Sequence, residues 1–152
     1  MQSRKLFYVV CALIVLFSLG ALCQQPHPAV SQTEAAKAPS EKFIVYYFMT
    51  TMRCPSCHKI ENWTHSTVTE KFAEEIKAGK IEWKIVNIDE KANEHFIKEY
   101  SIFTKTVIVS KIVDGKEVSW KNLDKVWQLL SNQDNFQKYI ESELKAFMTE
   151  KK

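Results

Sequence analysis

The chain has 152 residues and 45% hydrophobic content, ordinary for a globular protein and enough for one folded domain behind an N-terminal leader. Its formal net charge is +3, falling to +1 if Arg4 and Lys5 leave with that leader, which argues against nucleic acid or an acidic surface as partner. Of four cysteines, Cys11 and Cys23 lie in or just after the leader, so a single pair, Cys54 and Cys57, serves the body. One pair is no disulfide framework, and the core must supply the stability.

In chain order, residues 1–23 come first. Arg4 and Lys5 precede an apolar run from Leu6 to Leu22, which predicts an N-terminal apolar signal or anchor helix. Small residues allow cleavage after Gly20 or Cys23. Retained, the 17-residue run sits at the short end of the roughly 17–25 residues that span a bilayer. Leu22 is large where acylation of Cys23 would want a small residue, so the lipoprotein reading is the weaker one. The basic residues flank the N-terminal side, so cleaved or retained, the body is expected outside the cytoplasm: in the periplasm, on the outer face of a membrane, or secreted. Residues 24–40 hold three of the four prolines and little that packs, which predicts a flexible tether.

The domain is expected over residues 41–152. Phe43–Met49 is apolar on both alternating faces and predicts a strand buried on both sides. Cys54 and Cys57 follow, and then Ile60, Trp63, Thr67, Phe72 and Ile76 at near-helical spacing, predicting one helix that ends at Gly79. Ile81–Asp89 reads as a second strand, and Lys91–Tyr100 as a short helix with Phe96, Ile97 and Tyr100 inward. Lys105–Ile112 is a third strand rich in β-branched residues, joined through Asp114-Gly115 to a fourth at Glu117–Trp120. Asn122 or Asp124 is placed to cap a helix over Val126–Leu130. A last helix from about Asn132 carries Phe136, Ile140, Leu144 and Phe147 inward. The order βαβαββα predicts an α/β domain with a four-stranded mixed sheet, helices on both faces and an antiparallel hairpin at one edge. No internal repeat, phosphate-binding glycine loop or flavin or nicotinamide motif is visible, so no cofactor is expected.

Chemistry concentrates at Met52–Glu61. A strand that delivers two thiols to the start of a helix reads as a redox dithiol at the end of a strand, where open α/β sheets place their sites. The unpaired N–H groups and partial positive charge of a helix N-terminus favour the reactive thiolate, and Arg53 pushes the same way. Two other readings of the pair stay open. It is half of a zinc site, with His58 and His65 nearby, or it is a plain structural thiol pair. Glu61, one turn past Cys57, is the nearest carboxylate and is either a proton shuttle or a surface residue.

That element order, with C-x-x-C after the first strand, resembles the thioredoxin fold. A closer resemblance is to a bacterial thioredoxin-like family labelled nitrophenyl compound nitroreductase subunit, ArsF type. It rests on Tyr46–Phe48, Arg53–Cys57, Val86–Glu90 with His95 and Phe96, Tyr100, Thr104–Thr106 and Asp114–Trp127, and covers about residues 43–148. The resemblance implies a thioredoxin-like domain, often exported, in which Cys54 attacks and Cys57 resolves. Pro55 in the first position between the cysteines is similar to glutaredoxin and DsbA-like sites. Thioredoxins also carry a cis-proline facing the dithiol and a buried acid behind the resolving cysteine. This chain has no proline after Pro55, and Lys105 or Thr106 takes the equivalent place. A non-proline cis bond costs about 2.5–4 kcal/mol, so a trans bond is predicted there. Lys105 either stabilises the Cys54 thiolate or is a solvated strand-end lysine.

The expected work is thiol–disulfide exchange with a protein partner outside the cytoplasm. The alternatives are a module binding copper, zinc or arsenite through Cys54 and Cys57, since soft thiolates select soft ions, and an accessory subunit of a reductase.

Overall fold

The computed structural model describes residues 40–150. The leader and all but the last residue of the tether lie outside the described residues, so the apolar N-terminal helix expected there is not addressed by the structure.

Strand β1 (Glu41–Met49) lies at the centre of a four-stranded sheet. It pairs in parallel with β2 (Ile81–Asn87) on one side and antiparallel with β3 (Thr106–Val113) on the other. The hairpin to β4 (Lys116–Asn122) closes the order β2-β1-β3-β4. Between β1 and β2 run α1 (Pro55–Lys71) and the short α2 (Ala73–Lys77). Between β2 and β3 lie a 3-10 turn (Lys91–Asn93) and α3 (His95–Glu99). After β4 come a second 3-10 turn (Asp124–Trp127) and α4 (Gln133–Thr149).

The period-2 geometry of β1 divides its apolar side chains between two cores. Phe43, Val45 and Tyr47 pack with Val107 and Val109 of β3 under α1 and α4, whose Ile60, Val68, Phe136, Ile140 and Leu144 are all buried. Ile44, Tyr46 and Phe48 face the other way, toward Ile88, Tyr100, Ile102 and Ile108, with Phe96 of α3 against them. The second core is largely aromatic: Tyr46 stacks on Phe48, Phe96 stacks on Tyr100, and Trp120 meets Tyr100 edge-on. Both faces of the sheet are thus covered, as the unbroken apolar run of β1 requires.

The predicted order of strands and helices is the observed one, and the differences have local causes. The single helix expected to run to Gly79 breaks after Lys71. Ile60, Thr64, Val68, Phe72 and Ile76 are each four apart, and in a straight helix such a series drifts by about 40° per step. The break at Phe72 (φ −127°) keeps it and Ile76 against the core. Gly79 then turns the chain at φ +71°, where a Cβ would be strained. Ile97, expected inward, is 37% exposed. Phe96 and Tyr100 define the inward face of the one-turn α3, and Ile97 points about 100° away. The helix expected over Val126–Leu130 is a 3-10 turn that buries Val126. Asp114 and Gly115 both take positive φ, as a two-residue hairpin loop demands. Asn132 caps α4, its Oδ1 accepting from the Asn135 N–H at 2.9 Å.

Phe136 sits at the centre of the first core, fully buried and edge-on to Trp63, whereas Phe103 is 96% exposed. Phe136→Ala is expected to cost about 3–5 kcal/mol of unfolding free energy in urea. Phe103→Ser should stay within about 0.5 kcal/mol of the parent.

Candidate redox site

Cys54 and Cys57 are joined as a disulfide, their Cα atoms 5.1 Å apart, at the junction of β1 and α1. Cys54 is the N-cap of α1, in extended conformation, with Pro55 in the first helical turn where its missing N–H costs nothing. The cap is reciprocal. The Cys57 N–H donates to the Cys54 Sγ at 3.3 Å, and the Cys54 N–H donates to the Cys57 Sγ at 3.2 Å. This is a capping box in which sulfur replaces oxygen, so two otherwise orphaned N–H groups of the helix start are aimed at the two sulfurs. The two residues differ sharply in access. Cys57 is fully buried and Cys54 is exposed.

Polar contacts hold the loop and the helix start from the end of β2 and from β1 itself. The Asp89 carboxylate, just past β2, accepts from the Thr51 N–H at 2.8 Å, and the Asn87 side-chain amide donates to the Thr51 hydroxyl at 3.1 Å. From beneath, the fully buried Tyr47 hydroxyl donates to the Cys57 carbonyl at 2.9 Å. Burial raises the Tyr47 phenol above its ordinary value, and the Arg53 charge pulls it part of the way back.

The other residues singled out by sequence fall as follows. Arg53 forms an ion pair with Glu61 of α1, both side chains being mostly buried. Glu61 is therefore a paired carboxylate and not a free surface one. Thr106 pairs in register with Phe48, which brings the start of β3 to the same end of the sheet as the dithiol loop. Its buried hydroxyl donates to Asn122 at 2.5 Å. Lys105 is held through its carbonyl, which accepts from the Trp127 indole N–H at 2.7 Å. The peptide bonds of the described residues are trans, including the one before Thr106, as predicted. His58 is exposed and His65 lies against the Trp83 ring. Among the described residues no three His, Cys, Asp or Glu side chains gather as a metal cluster would.

Sequence reasoning did not find Tyr47, Asp89 or Trp127. Tyr47 was legible in principle: a phenol inside a strand buried on both sides needs a polar partner. Asp89 and Trp127 act through loop geometry that no spacing reveals.

The strand order β2-β1-β3-β4, with α1 and α4 on one face, α3 on the other and the dithiol capping α1, decides the architecture. The domain has a thioredoxin-like fold. Among solved structures it is similar to the thioredoxin of Fasciola hepatica, at 22% identity over 66% of this chain and 80% of that one, with a TM-score of 0.40. It is likewise similar to thioredoxin O2 from Arabidopsis thaliana in the oxidized state, at 16% identity over 63% and 76%, TM-score 0.37. The thioredoxin of Trypanosoma brucei brucei matches at 18% over 68% and 76%, TM-score 0.38. These likenesses are distant, and the fold rests on the topology. No family model and no curated protein matches the chain.

Tyr47→Phe should leave the fold intact and lower stability by about 1–2 kcal/mol in urea, since a buried acceptor loses its donor. Burial also raises Tyr46, Tyr100 and Tyr139, the last to about 12. Folding thus favours the neutral phenols. Their contribution is complete below the ordinary value of 10.0 and is lost as pH climbs from there through the raised values. In an alkaline titration, phenolate absorbance from these four tyrosines is expected to rise beyond pH 10 together with the loss of far-ultraviolet ellipticity.

Proposed function

We propose that this protein carries out thiol–disulfide exchange with a protein partner outside the cytoplasm, through Cys54 and Cys57. The observation that carries the reading is the unequal access of the two sulfurs at a helix cap: one reachable, one buried directly behind it.

In the reduced protein the Cys54 thiolate attacks one sulfur of a partner disulfide. The Cys54–partner S–S bond forms, the partner's own S–S bond breaks, and the departing thiolate takes a proton from water. Cys57 then gives up its proton, and its sulfur attacks the Cys54 sulfur. The Cys54–Cys57 bond forms and the second partner thiol leaves. The partner has gained two electrons and two protons, and the dithiol has become a disulfide. A dithiol reductant resets it; run in reverse, the same steps oxidise a partner dithiol. Pro55 rigidifies the cap, and Lys105 and Thr106 lie at the same end of the sheet as the dithiol loop. Arg53 and Glu61 stand beside the cysteines.

The basic residues Arg4 and Lys5 ahead of the apolar run Leu6–Leu22 support delivery across a membrane, with the domain either released or kept on a tether.

The test is the reduction potential of the pair in graded thiol buffers, read by alkylation. A two-electron transition near about −270 mV marks a reductant, and one near about −120 mV an oxidant. Absence of a reversible intramolecular disulfide ends the proposal. Cys54→Ser should abolish exchange, and Cys57→Ser should accumulate mixed disulfides with the partner on non-reducing gels.

A further inference from the structure

The charged pair beside the dithiol has a composition that cap stabilisation alone does not call for. Arg53 immediately precedes Cys54, outside the helix, and its guanidinium reaches back to Glu61, one turn beyond Cys57. The pair is mostly withdrawn from water, with side-chain exposures of 23% and 17%. Among the described residues, one guanidinium nitrogen, Nη2, makes the contact, and the buried Arg53 Nε has no partner. A buried N–H left unpaired is costly, and a single contact uses little of the fork with which arginine usually grips a carboxylate. The pair does keep one positive and one negative charge at the helix cap: Arg53 adjoins Cys54 in the chain, and its charge reaches the Tyr47 phenol that donates to the Cys57 carbonyl, at a site where withdrawal from water weakens screening.

We infer that Arg53 and Glu61 are opposed positioning charges that set the thiolate character of Cys54, Arg53 raising it and Glu61 holding it down. This rests on the exchange reading of the cysteines and deepens it. The electron count is that of the disulfide taking two electrons and one proton from a thiol reductant, to give the Cys54 thiolate and the Cys57 thiol. A nearby positive charge favours that product and a nearby negative charge opposes it. The remaining charged or titratable groups around the loop are placed otherwise. Asp89 accepts from the Thr51 N–H, His58 is exposed on α1, the Tyr47 phenol donates to the Cys57 carbonyl, and Lys105, whose backbone carbonyl accepts from the Trp127 indole, is a further positive charge that both variants below leave in place.

The consequence is a difference in sign that a structural clasp cannot produce. Arg53→Met removes the favourable charge and leaves Glu61 alone. Glu61→Gln removes the opposing charge and leaves Arg53 alone. The experiment is the pH profile of Cys54 alkylation by iodoacetamide in the full-length protein reduced with a dithiol, together with the glutathione equilibrium constant of the pair. At a pH below the thiol midpoint, Arg53→Met should alkylate about threefold slower, and Glu61→Gln about threefold faster, than the parent, as expected for one charge at partly screened range. Arg53→Lys, which keeps the charge, should restore the parent rate. The glutathione constant should move in opposite directions in the two variants. If both variants shift the same way, or neither shifts, the pair is structural and the inference falls. Alkylation reads the thiol whether or not any partner is exchanged, so loss of the exchange reading would appear separately, as a pair that does not close reversibly in glutathione.

Discussion

Everything in this domain depends on β1 being buried on all sides. It is bonded along both edges, to β2 and β3, and covered on both faces by helices. Such a strand has no freedom of register, because a slip by one residue would exchange the contents of the two cores. Tyr47 would leave its place beneath the dithiol and Phe48 would leave its aromatic cluster. A site placed a few residues beyond the end of such a strand inherits that rigidity.

The rigidity is passed to the sulfurs through backbone groups. The start of α1 presents N–H groups that ordinary helices satisfy with serine, threonine or aspartate. Here cysteine performs that role, so the forces that end the helix and those that orient the sulfurs are the same forces. The loop ahead of it is tied to β2 through Thr51, and the helix behind it to β1 through Tyr47. The chain entering β3 is tied to the segment after β4 through the Lys105 carbonyl and Trp127. The reactive atoms are thus surrounded by backbone that has little room to adjust.

Much of this was legible in the chain. The two-sided apolar run of β1, the alternating and β-branched strands, the Asp114-Gly115 turn and the i, i+4 ladder of α4 each have one physical reading, and the observed elements follow them. The cysteine pair was legible because its spacing and its place after a strand coincide. Other features were not legible for physical reasons. The drift of a four-residue repeat hid the break at Phe72. A one-turn helix has too little periodicity to say whether Ile97 faces in or out. The ion pair of Arg53 with Glu61 joins a loop residue to a helix residue eight positions on, and no rule of helix spacing reaches across a cap.

The outer strands of the sheet also govern how the molecule meets its neighbours. Among the described residues, β2 and β4 each leave one edge unpaired, the kind of edge that invites another chain to add a strand. On β2, Glu82 is held between Lys42 and Lys84, so an incoming strand would have to displace charge. On β4, the pairing skips at Lys111 and Ile112, so that Val118 is bulged out of the ladder, with Lys116 and Lys121 on either side. A sheet with one edge charged and the other kinked is a poor template for fibril growth. A domain that holds its dithiol in a fixed frame is in this way also kept from stacking on copies of itself when crowded.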